Sequence, residues 1–99
     1  MPQVPVPYER LVEVCRRWQI TEISLFGSVL RADFGSDSDV DLLVDFSPDA
    51  PWSTWDLVRL QGELAALFGR GVDLVEKSAL RNPFRRASIL RQREIVYAA

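Results

Sequence analysis

The stretch Leu25-Phe26-Gly27-Ser28, followed after ten residues by Asp39-Val40-Asp41-Leu42-Leu43-Val44-Asp45-Phe46, decides how this chain is read. In the second run Val40, Leu42, Val44 and Phe46 alternate with Asp39, Asp41, Leu43 and Asp45. An alternation of period two is that of a β-strand, whose successive side chains point to opposite faces. Residues 22–26 form a shorter run of strand formers, stopped by Gly27-Ser28, and read as a strand entering a tight turn. Between the two runs, residues 29–38 carry Arg31, Asp33, Gly35, Ser36 and Asp37 and read as a short helical turn leading into a polar loop.

Working outward, Leu11, Cys15 and Trp18 recur at steps of four and three, which predicts an amphipathic helix over 8–18. Leu57, Leu60, Leu64 and Leu67 give the inner stripe of a second helix over 53–68, ended by Gly69 and Gly71. Residues 72–76, Val-Asp-Leu-Val-Glu, read as a third strand, and Ser78 as the cap of a short helical segment. A last helix is expected from Phe84 onward, with Leu90 and Tyr97 inward. The order helix, strand, strand, helix, strand, helix predicts an α/β (α+β) fold. Its small mixed β-sheet has helices packed on one face, in a single domain over 1–99.

The 12 basic and 14 acidic side chains give a net charge of −2, which disfavours binding to nucleic acid through its phosphates. There is no histidine, so triads and imidazole bases are excluded and chemistry must run on carboxylates, hydroxyls, Lys, Arg or metal ions. The single cysteine, Cys15, sits among apolar neighbours and reads as a buried structural thiol. No apolar run approaches the roughly 20 residues that cross a bilayer, and the start lacks the layout of a secretory signal, so a cytoplasmic location is expected.

Asp39 and Asp41 lie two apart on one strand and so share a face, about 6.6 Å apart at ~3.3 Å per residue. Two like charges on a largely covered sheet face are costly unless a cation joins them. Asp73 sits alone in the apolar third strand, and it meets Asp41 if strands two and three are neighbours. Three carboxylates form an oxygen donor set suited to Mg²⁺, with Mn²⁺ as a substitute. A calcium-binding EF-hand loop is excluded, because a run begun at Asp37 would carry Leu42 where that loop needs Gly and Pro48 where it needs Glu. Gly27 permits close approach to the backbone, and Ser28 adds an N–H and a hydroxyl for phosphate oxygens.

Residues 25–44 taken together resemble the signature of the polymerase-β-like nucleotidyltransferases: Gly-Ser, ten residues, then Asp-x-Asp. The short length and the Val-Asp-Leu-Val third strand are similar to the minimal branch, the MntA-like antitoxins of HEPN/MNT toxin–antitoxin systems. The resemblance implies that Asp39, Asp41 and Asp73 are catalytic and hold two Mg²⁺ ions. It implies further that Gly27, Ser28, Arg31 and Ser38 bind the nucleotide, ATP or another nucleoside triphosphate. The implied activity is transfer of AMP to a hydroxyl, a tyrosine of a partner HEPN toxin, within a hetero-oligomer. The alternative within the same branch is an antitoxin that binds nucleotide without catalysis and neutralises its partner by covering it. Outside the signature, Trp52 and Trp55 read first as core or helix-start residues. The arginines Arg81, Arg85, Arg86, Arg91 and Arg93 read as one solvated helix face.

Overall fold

Alternating apolar residues in three short runs, spaced by two amphipathic helical runs, cannot bury their apolar faces separately; they must share one layer of packing. A computed structural model, describing residues 4–32, 34, 35 and 37–99, shows how they do so. Asp33 and Ser36 of the polar loop lie outside the described residues. The chain runs α1 (Tyr8–Arg17), β1 (Ile20–Phe26), a 3-10 turn (Gly27–Leu30), β2 (Val40–Phe46), α2 (Thr54–Phe68), β3 (Val72–Glu76), a second 3-10 turn (Lys77–Ala79), α3 (Pro83–Gln92) and β4 (Glu94–Ala98).

The sheet order is β3-β2-β1-β4. β1 and β2 pair antiparallel, with Leu25 opposite Leu42 and Phe26 opposite Asp41. β2 and β3 pair parallel with Asp41 opposite Asp73, and α2 forms the crossover between them. The expected mixed sheet with helices is thus present, and one strand is added to it. The sequence reading placed Tyr97 on the inner face of the last helix; it lies instead on β4, opposite Ile23 of β1. Leu90 and Tyr97 do fall at helical spacing, but the backbone turns extended at Arg93 (ψ 155°) and the β-forming run Ile95-Val96-Tyr97 pairs at the sheet edge.

α1 and α2 cover one face. Leu11, Val14 and Cys15 of α1 and Leu60 and Leu64 of α2 pack on Ile23, Leu25, Val40, Leu42 and Val44. Trp52 joins this core at its rim: its ring lies 4.7 Å from that of Trp18, and its indole N–H donates to the Trp18 carbonyl at 2.7 Å. Burial pushes the Cys15 thiol up to about 12, which leaves it inert at neutral pH. The expectation of helices on one face holds for these two. α3 lies over the opposite face, where Ile89 packs with Leu43, Phe26 and Leu80. Ser53 and Asp56 close α2 at its start with reciprocal hydrogen bonds, and Gly69 ends it in the left-handed region at φ +72°. Asn82, not Ser78, caps the helix that follows, its side chain accepting from the Phe84 and Arg85 amides. Ser78 sits inside the 3-10 turn.

Candidate active site

The site forms where β1 ends and β2 and β3 begin. Phe26 closes β1, and the chain then turns at Gly27 with φ +74°, a conformation that costs glycine little and other residues more. The 3-10 turn from Gly27 to Leu30 is pinned by the fully buried Val29, and the Arg31 amide donates to the Ser28 carbonyl at 2.9 Å. Ser28 is thereby held at the mouth of the sheet.

Two glycines make room for the two acids of β2. A Cβ at Gly27 would fall 2.4 Å from Asp41 Oδ2, so the carboxylate rests directly against the Gly27 backbone. A Cβ at Gly71 would fall 2.3 Å from Asp39 Oδ1. Asp39 and Asp41 are therefore each backed by a backbone with no side chain, one from each neighbouring turn. Asp73, opposite Asp41 on β3, is exposed to solvent.

The electrostatics follow from this crowding. Burial raises the Asp41 carboxyl above the ordinary aspartate range, and the negative charges of Asp73 and Asp39 raise it further. Arg31 and Arg85 oppose the shift. Asp39 and Asp73 of the sequence reading thus both act on Asp41, and Arg31 acts on it from the end of the turn. Ser38 is used within its own loop: its hydroxyl accepts from the Gly35 amide at 3.2 Å and its carbonyl from Arg70 at 3.4 Å. Among the described residues no three acidic or thiol groups form a ready-made metal cage. Mg²⁺ does not require one, since it keeps several waters and is held by one or two carboxylates together with substrate phosphates. A half-buried carboxylate repelled by two others, beside a backbone open to phosphate, fits such an ion in its chemistry.

Residues 9–96 match the model of the nucleotidyltransferase domain family. The chain belongs to that family. This nucleotidyltransferase is 41% identical over 85 residues to the protein adenylyltransferase MntA of Thermococcus cleftensis, a match spanning 86% of this chain and 81% of the relative. Among solved structures it resembles a toxin–antitoxin with AMP-PNP, at a TM-score of 0.75 and 19% identity over 95% of this chain and 75% of that one. It also resembles a structure of the tri-AMPylated Shewanella oneidensis HEPN toxin in complex with its MNT antitoxin, at a TM-score of 0.66 and 18% identity over 93% and 70% of the two chains. At such identities these two likenesses speak for the fold.

Three residues beside the candidate site are not singled out by the sequence. Gly71 read only as a helix stop, yet it faces Asp39. Arg85 read as part of a solvated face; it is exposed, yet close enough to act on Asp41. Arg70, read as nothing in particular, reaches two carbonyls of the loop before Asp39. Each depends on which elements become neighbours, and no local pattern announces that.

Proposed function

We propose that this chain is a Mg²⁺-dependent adenylyltransferase. It transfers AMP from ATP to a tyrosine hydroxyl of a HEPN-type toxin in the cytoplasm and so acts as its antitoxin. The observation that carries the reading is the seating of the Asp41 carboxylate against Gly27, with Asp39 two residues before it and Asp73 directly across. The relationship to an MntA protein adenylyltransferase supports the choice of AMP and of a protein acceptor.

In this reading the amides of the Gly27–Ser28 turn, the Ser28 hydroxyl and Arg31 hold the triphosphate, with Ser38 shaping the loop beside it. Asp39, Asp41 and Asp73 hold two Mg²⁺ ions, or Mn²⁺ in their place. When bound, those ions lower the pKa of the acceptor hydroxyl and neutralise the triphosphate and the departing pyrophosphate. The tyrosine oxygen forms a bond to the α-phosphorus as the bond from that phosphorus to the pyrophosphate oxygen breaks. Asp73, solvent-exposed at the open side, receives the hydroxyl proton. The products are an AMP-tyrosine ester and pyrophosphate. Catalysis by this chain's own residues is alignment and charge placement.

The test incubates the purified chain with its partner toxin, Mg²⁺ and ATP, beside the double variant Asp39→Asn/Asp41→Asn. Modified toxin with the wild type and none with the variant is expected. Equal neutralisation of the toxin by both forms, without modification, would replace catalysis by simple covering.

A further inference from the structure

Ten residues separate the Gly27–Ser28 turn from Asp39, and something must fix where they deliver it. Arg70 stands at that place. Its guanidinium donates to the Gly35 carbonyl at 3.3 Å and to the Ser38 carbonyl at 3.4 Å. The same group lies 4.6 Å from the centroid of the Phe34 ring, a cation–π distance. One residue later in the chain, the Gly71 carbonyl accepts from the Val40 amide at 2.9 Å, and the Gly71 Cα faces the Asp39 carboxylate.

Asp39 is therefore held on both sides by two consecutive residues of another turn. Arg70 takes the carbonyl before it and Gly71 the amide after it. Arg70 itself is fixed by the end of α2, where Gly69 turns left-handed and the Arg70 amide still reaches the Ala65 carbonyl at 3.3 Å. Both hydrogen bonds leave Nη1, while the plane of the guanidinium rests on the ring; a lysine ammonium has donors for two carbonyls but no plane to stack and a shorter stem to reach them.

We infer that Arg70 is a positioning residue: it clamps the backbone at Gly35 and Ser38 so that the Asp39 carboxylate is presented toward Asp41 and the phosphate turn. The clamp rests on the geometry just described; its consequence for metal and nucleotide rests on the proposed function. Arg70 touches no reacting atom, and its effect passes through Asp39. Residues that orient a metal ligand in this way change affinity or activity by about 10–100-fold when removed.

Two measurements on the full chain test this. In ligand-free protein, amide hydrogen exchange at Ser38 and Val40 is compared between wild type, Arg70→Ala and Arg70→Lys, with the core amide of Leu42 as internal reference. Faster exchange at Ser38 and Val40 in both variants, with Leu42 unchanged, is expected; unchanged exchange overturns the clamp whatever the protein's function. Calorimetric titration with ATP and Mg²⁺ is then expected to show about 10–100-fold weaker binding in both variants. For turnover, the Mg²⁺ concentration giving half-maximal rate should rise while kcat at saturating Mg²⁺ falls less. Arg70→Lys keeps the charge and guards against loss of folding in Arg70→Ala. Lysine behaving as wild type would show that the stacked guanidinium plane is not needed and would overturn the clamp as argued; loosened amides with unaltered ATP–Mg²⁺ binding would overturn the positioning role. Failure of the wild type itself to bind ATP and Mg²⁺ would instead sink the functional reading, leaving exchange to decide the clamp.

Discussion

At Gly27 two requirements coincide. Its φ of +74° is one that an L-residue adopts at a cost of about 1–2 kcal/mol, and its missing Cβ is the space that the Asp41 carboxylate fills. Gly27→Ala is therefore expected to lower stability by about 1–2 kcal/mol. It is also expected to lower nucleotidyl transfer by about 100-fold, because even a 1 Å displacement of a reacting group has that effect. Thermal melts and turnover check the two parts, and wild-type turnover in the variant would contradict the placement. Asp41 makes a second prediction. Its folded pKa is raised by burial and by Asp73 and Asp39, so the native state holds the proton more tightly than the unfolded chain. The stability this proton supplies is present at low pH and is lost as pH rises from about 3.9 through the raised value. Without metal, Asp41→Asn should thus melt above wild type at pH 7, with the gap closing on acidification to pH 3. Solvent screening keeps the gain below about 1 kcal/mol. At this scale the pairing of Gly27-Ser28 with Asp39 and Asp41 was legible in the sequence, because both lie in one local run. The contact of Gly71 with Asp39 was not, because it follows from the parallel register of β2 and β3.

Between elements, one carboxylate ties α1 to α2. Glu63 of α2 accepts from the Arg17 guanidinium and, at 2.8 Å, from the Trp18 indole N–H. The Arg17 hydrogen bond chiefly holds Glu63 below the usual glutamate range, burial works against it, and Trp18 and Arg59 add to it. A depressed carboxyl contributes stability above its unfolded pKa of about 4.3 and loses it as pH falls through the folded value. Glu63→Gln keeps an acceptor for Trp18 but removes the ion pair, whose partners are 61% and 31% exposed. It should therefore cost at most about 1 kcal/mol at pH 7 and less at pH 3, as read by thermal melts. A constant penalty at both pH values would contradict the ionic origin. The helices and the first three strands could be read because their periodicities are strong and Gly69 and Gly71 punctuate them. β4 could not. Between Leu90 and Tyr97 there is no glycine or proline, and their spacing of seven suits a helix as well as it suits nothing else. Pairing with β1 decided the conformation.

Over the whole molecule, carboxylates and cationic side chains far apart in the chain are brought face to face. α3 carries Arg85 over the acidic end of the sheet, while Lys77 and Arg93 meet Glu22, and Lys77 also Asp45, at the other end. The net charge of −2 therefore does not describe the site, where cationic side chains and carboxylates stand together. Such a mixture suits a bound triphosphate with its cations better than a long polyanion. The most direct measurement runs parallel reactions of the wild-type chain, the HEPN-type toxin proposed as its acceptor and Mg²⁺ with ATP labelled on either the α- or the γ-phosphate. Label on the toxin from the α-phosphate alone, with pyrophosphate released, is the expected result. Label from the γ-phosphate alone, or from neither, would contradict the transfer of a nucleoside monophosphate.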